Sequence, residues 1–185
     1  MTTVLPKLLL GVGNVLRRDD GVGVHAVRRL AELRLGGLFQ AYDAGLCGME
    51  VAPMLERRDR LVVIDAIDAG ARPGTIYLTK PEWLRPAVRT GVSLHDLHLL
   101  DALDEVRFLR RGPRHVRIVA VQVADVSPGV GLSPAVARAV PAVLRIALRE
   151  LGAAPLLANP IAAASLAAEY GAPERDARLE GVAWN

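Results

Sequence analysis

Apolar runs alternate with amphipathic stretches along most of the chain. Leu8-Leu9-Leu10 opens a short apolar run that closes in Gly11-Val12-Gly13-Asn14, the pattern of a buried strand followed by a turn. Beyond Asp19–Asp20, Val24, Val27, Leu30 and Ala31 recur at helical spacing on one face, while Arg28, Arg29 and Glu32 fall off it. This predicts a first helix over about 20–35, opened by aspartates that suit the positive helix end and stopped by Gly36–Gly37. Residues 38–42 predict a second strand, Asp43-Ala44-Gly45 a turn, and 48–55 a short helix. Leu61-Val62-Val63-Ile64, followed by Asp65, is the clearest buried strand, and 75–78 is another, introduced by Pro73–Gly74. Residues 81–91 read as a loop, and 94–110 as a helix with Leu99, Leu103 and Val106 on one face. A last strand covers 116–123. Ser133–Pro134 then supplies a cap and first-turn proline for a final helix, kinked at Pro141 and ended by Gly152.

Strands alternating with helices define an α/β chain. The expected architecture is a three-layer α/β/α sandwich around a mostly parallel, about five-stranded twisted sheet with one antiparallel strand. Residues 1–152 are expected to form one compact domain, and 153–185, rich in alanine and interrupted by Pro155, Pro160 and Pro173, a C-terminal tail with room for one helix near 161–170. Composition agrees with one globular unit: 51% of the 185 residues are hydrophobic, enough for a sizeable core. Aromatic residues are only 4%, too few for a nucleic-acid binder built on base stacking. The formal net charge is +3, and arginines supply all the basic residues except Lys7 and Lys80. Pairs stand at Arg17–Arg18, Arg28–Arg29, Arg57–Arg58 and Arg110–Arg111, scattered along the chain rather than drawn into a basic stripe. A single cysteine, Cys47, excludes an intramolecular disulfide, and no run reaches the roughly 18 apolar residues of a membrane helix. A soluble cytoplasmic protein, with a monomer the favoured state, is the expectation.

In sheets of this kind ligands bind beyond the carboxyl ends of the strands, which directs attention to the loops there. Gly11-Val12-Gly13 begins like a dinucleotide-binding turn, but Leu16 stands where that fingerprint needs its third glycine. Asp20 at the entry to the first helix, Asp65 at the end of the third strand and His95 at the start of a helix all project from the expected ligand edge. Two carboxylates and an imidazole form a plausible open site for a divalent transition metal. Each residue also has a purely structural reading. Asp20 could cap a helix, Asp65 could close a turn with Asp68, and His95 could be an exposed helix-start residue with His98 as its rival. Asp43 and Gly45 either shape a cleft or only make a turn. Cys47 has no base beside it in sequence and reads as a small packed residue, as Met49 reads as core, and Gln122 ends a strand near the same edge.

The run from Gly11 to Gly23 matches G-x-G-N-x-L-x-x-D-[DE]-x-x-G, and so resembles the signature of the nickel-iron hydrogenase maturation endopeptidases. Asp43-Ala44-Gly45 with Gly48-Met49-Glu50, the strand ending in Asp65-Ala66, Val92-Ser93-Leu94-His95, and Gln122 through Ser133-Pro134 resemble further family segments in the same order, over about 7–151. The resemblance implies an aspartic-type endopeptidase that removes a short C-terminal peptide from the precursor of a nickel-iron hydrogenase large subunit after nickel insertion. It implies that Asp20, Asp65 and His95 contact the metal and that Asp20 and Asp65 carry the catalysis. Gly13, Asn14, Asp43 and Gly45 are expected to line the substrate cleft. Nickel would arrive with the substrate, and no cofactor would be permanently bound. Two rival readings remain at this point: a non-catalytic metal-checking chaperone of the same precursor, and a nucleotide-binding or other hydrolase on a related fold.

Overall fold

A computed structural model of the chain describes residues 6–32, 37–46, 49–82 and 94–154; of residues 49 and 94–97 it describes the backbone only. Five strands, β1 (Lys7–Val12), β2 (Gln40–Gly45), β3 (Arg60–Ile67), β4 (Ile76–Thr79) and β5 (His115–Gln122), form one sheet in the order β2-β1-β3-β5-β4. Every pairing is parallel except β4 with β5. The helices are α1 (Val22–Glu32), α2 (Ala52–Leu55), α3 (Leu94–Phe108) and α4 (Pro134–Glu150).

The apolar runs form central strands because both sheet faces are covered. Successive side chains alternate between the faces. Leu9, Val62 and Ile64 join a core with α1 and α4, while Leu8, Leu10, Leu61 and Val63 join a second core with α2 and α3. These two cores are the two interfaces of a three-layer sandwich, the architecture expected from the sequence. The first core includes Ala153, so the packed unit reaches that residue. Residues 155–185, which make up nearly all of the expected tail, lie outside the described residues.

Several boundaries differ from the sequence expectation. The second strand is displaced toward the C-terminus because its extent is set by pairing, from Leu8 with Gln40 to Val12 with Gly45, rather than by its own apolar content. Leu38, included in the expected strand, is exposed. The third strand runs two residues past Asp65, with Asp65 paired to Ala120. A 3-10 turn over Arg18–Gly21 precedes α1, so Asp20 lies in that turn rather than at the start of an α-helix. Of the loop expected over 81–91, residues 81 and 82 are helical and the others lie outside the described residues.

Helix α4 continues through the buried Pro141, whose ring forgoes the single bond an N–H would donate there. It opens as expected on Ser133, which accepts from the Val136 N–H. It closes in a Schellman turn: Gly152 adopts φ +65, its N–H bonds to the Arg149 carbonyl, and the Ala153 N–H bonds to that of Leu148.

Candidate active site

β2 and β3 flank β1, and the chain leaves β1 toward the β2 side before returning to the β3 side. The carboxyl ends of β1 and β3 therefore form the topological switch point, where open α/β sheets bind ligands. Two glycines allow the first helix to enter this point closely. A Cβ on Gly23 would collide with the backbone carbonyls of Ile64 and Val12, and one on Gly11 with the carbonyl of Gly23. Helix α1 thus begins directly against β1 and β3, and the 3-10 turn before it packs on β3.

That turn, packed on β3, holds Asp20 at the carboxyl end of the sheet, where β3 carries Asp65. Both are buried, at 6% and 3% exposure, in a protein whose other buried side chains are almost all apolar. A backbone N–H fixes one oxygen of each carboxylate. The Asn14 N–H donates to Asp20 Oδ2 at 3.2 Å, and the Ala66 N–H to Asp65 Oδ1 at 2.8 Å. The alternation of β3 puts Asp65 on the same face as Val63 and Ile67, the face covered by α3. Helix α3 leads by a short connection into the amino end of β5, so its first turn, which holds His95, lies at the carboxyl pole of the sheet. The His95 side chain is outside the described residues, as are Ser93, Cys47 and Gly48. Among the described residues no group of three His, Cys, Asp or Glu side chains could hold a metal.

The other expected cleft residues build the frame. The Gly13 N–H donates to the Gly45 carbonyl at 2.8 Å and joins the ends of β1 and β2. Asn14 folds the following loop by accepting the Leu16 N–H on Oδ1 at 2.9 Å. Asp43 accepts the Gly45 N–H at 3.0 Å on one oxygen and binds Arg28 at 2.7 Å through the other, which ties the β2 end to α1. Asp43 and Gly45 thus close a turn at the rim and brace it.

Two residues matter more than the sequence suggested. Asp19 is fully buried and accepts four hydrogen bonds from the segment before α4. The donors are the Ala124 and Asp125 N–H groups at 2.9 and 3.0 Å, the Ser133 N–H at 2.6 Å and the Ser133 hydroxyl at 2.8 Å. One carboxylate therefore fastens the Asp20 turn to the end of β5 and the start of α4. Gln122, also buried, accepts the Ala69 and Ala71 N–H groups at 2.8 and 3.2 Å and donates to Asp68 Oδ1 at 3.0 Å, organising the loop just past Asp65. Nearby, Asp125 is held below the usual carboxylate range, chiefly by the Ser127 backbone N–H, then by its hydroxyl and by the Arg18 guanidinium.

A family model described as hydrogenase maturation protease matches residues 24–150. The hydrogenase 2 maturation protease of Escherichia coli K12 is 34% identical over 150 residues, covering 78% of this chain and 92% of its own. The chain belongs to the hydrogenase maturation protease family. The hydrogenase expression/formation protein HupD of Rhodobacter capsulatus is 33% identical over 150 residues, covering 79% of this chain and 71% of its own. Among solved structures, the hydrogenase maturating endopeptidase HybD from E. coli superposes with a TM-score of 0.71 at 32% identity, covering 79% of this chain and 93% of that one. HybD from Thermococcus kodakarensis gives 0.65 at 26% identity, covering 77% and 97%. The chain is thus an endopeptidase of the hydrogenase maturation class. Among the described residues no helix is long and apolar enough to cross a membrane.

Proposed function

We propose that this protease removes a C-terminal peptide from the nickel-loaded precursor of a nickel-iron hydrogenase large subunit, using Asp20, Asp65 and His95 to meet the substrate's nickel. The observation that carries the reading is the pair of buried carboxylates at the switch point, each with one oxygen oriented by a backbone N–H. Carboxylate oxygens are ligands that suit a divalent transition metal, and the incoming substrate would bring one.

The substrate's nickel, met by Asp20, Asp65 and His95, serves as the recognition element, and it would also supply Lewis acidity to the scissile carbonyl or the attacking water. Asp20 or Asp65 accepts a proton from that water as it adds to the carbonyl, and the proton passes to the departing amine. Gly13, Asn14, Asp43 and Gly45 line the cleft that receives the extended segment. Leu16, Leu46 and Val130 are exposed near this end and give a protein substrate an apolar rim to rest on. The enzyme needs no resident metal in this scheme, because the metal leaves with the product. The cytoplasm is its compartment, the expectation drawn from a chain with one cysteine.

Single substitutions test the site. Asp20→Ala and Asp65→Ala should each abolish cleavage of nickel-loaded precursor while leaving the circular-dichroism spectrum unchanged. Full activity in a folded Asp65→Ala enzyme would remove that residue from the site.

A further inference from the structure

The opposite pole of the molecule holds a second concave feature. An open cleft of about 620 Å³ lies at the amino ends of β3 and β5, lined by Arg57, Arg58, Arg110, Arg111, Arg114 and Asp59 among others. The five arginines against one carboxylate leave it a net charge of +4. Two arginine pairs that are more than fifty residues apart in sequence meet here. About 17 Å of strand separates Arg60, at the foot of β3, from Asp65, so the cleft is remote from the candidate active site.

The cleft is built, not a chance gathering of long side chains. The Arg57 N–H bonds to the Arg111 carbonyl at 2.8 Å and the Arg114 N–H to that of Arg58 at 3.3 Å, which joins the two loops. Arg58 is buried, and its Nε donates to the Met54 carbonyl at 2.8 Å. Arg57 and Arg110 both adopt left-handed backbone conformations, at φ 58 and 55. Arg110 sits where α3 closes in a Schellman turn, with the Arg111 N–H on the Val106 carbonyl, a position that favours glycine. An arginine kept where glycine would relieve strain points to a use for its side chain.

Several arginines elsewhere sit against carboxylates, as Arg18 does with Asp125, Arg28 with Asp43 and Arg117 with Glu150. In the cleft, Arg111 approaches Glu56 at 3.7 Å, while Arg57, Arg110 and Arg114 have no ion pair among the described residues. Guanidiniums that outnumber the carboxylates beside them repel one another, and an anion reduces that repulsion.

We infer that this cleft binds a small, multiply charged phosphate compound through its arginine forks. The volume falls in the range of small-molecule sites, and the excess of guanidiniums over carboxylates in the lining favours an anion. A phosphate chain presents many oxygens in several directions, which suits guanidiniums that converge from two loops. A flat acidic peptide would reach fewer of them.

The test is calorimetric titration of the full chain, at low salt, with inorganic triphosphate and with ATP. Saturable one-site binding is expected. Equal affinities assign recognition to the phosphate chain, and tighter ATP assigns it to a nucleotide; either supports the inference. The double variant Arg57→Gly/Arg110→Gly should fold at least as stably as the parent, since glycine relieves both backbones, and bind at least about tenfold more weakly. Arg138→Gln/Arg145→Gln, which removes the same charge from the exposed side of α4, should bind as the parent does. No saturable binding, equal losses in the two variants, or binding of hexaglutamate but not triphosphate would each overturn the inference. The readout needs no hydrogenase precursor, so its outcome is independent of the proposed cleavage.

Discussion

Replacing Asp19 by Asn keeps the shape of the side chain and removes the one acceptor set that no amide can imitate. The native carboxylate presents only lone pairs to four donors, three N–H groups and a hydroxyl, at 2.6 to 3.0 Å. In either flip of the amide, an NH2 group faces at least one backbone N–H. The better flip turns the NH2 toward Ser133 and leaves the other oxygen its three donors, now without a full negative charge. Each remaining bond loses about 0.5 kcal/mol of charge assistance, and the opposed donors cost about 2 kcal/mol, for a total near 3–4 kcal/mol. For a domain of this size that lowers the melting temperature by about 10 °C. Thermal unfolding followed by circular dichroism measures it. The same change should depress cleavage, because Asp19 anchors the turn that presents Asp20. A melting temperature within about 3 °C of the parent would show that the four bonds do not fasten this turn.

Gly23→Ala should cost at least about 3 kcal/mol in urea unfolding, because its methyl meets two backbone carbonyls that cannot move aside, and a loss under about 1 kcal/mol would contradict the close entry of α1. Gln122→Leu should cost about 2–3 kcal/mol and expose the Ala69 and Ala71 amides to faster hydrogen exchange, and unchanged exchange there would refute its role in the loop. Asp125 titrates below its ordinary 3.8, so the folded state releases its proton more readily than the unfolded chain. Its stabilising contribution is therefore complete above pH 3.8 and disappears as pH falls through the lower folded value. Carboxyl chemical shifts followed by NMR should show that midpoint below 3.8, and a midpoint at or above 3.8 would contradict the bonds to Ser127.

The central strands were legible in the sequence because they are buried on both faces, so Leu8-Leu9-Leu10 and Leu61–Ile64 carry unbroken apolar runs. The edge strand β2 was less so. Its residues are half-exposed, with Tyr42 open to solvent, and only pairing with β1 fixes where it starts. The adjacent aspartates show the limit more sharply. Both were visible as acidic residues near a helix start, yet the donors that occupy Asp19 lie more than a hundred residues away. The recurring D-[DE] pair was the available signal that two carboxylates are required there. The arginine cleft was hidden for the same reason, since nothing in 57–58 announces 110–114 as its neighbour. The His95 side chain lies outside the described residues, so its part in the site rests on the position of its backbone at the head of α3.

The most direct measurement is the mass of a hydrogenase large-subunit precursor after incubation with the purified enzyme, with and without nickel in the precursor. Loss of a C-terminal peptide from the nickel-loaded form alone, absent with Asp65→Ala enzyme, is the expected result. An unchanged mass of the loaded precursor would contradict the proposed protease activity on that substrate, and equal cleavage of the nickel-free precursor would contradict the role given to the substrate's metal.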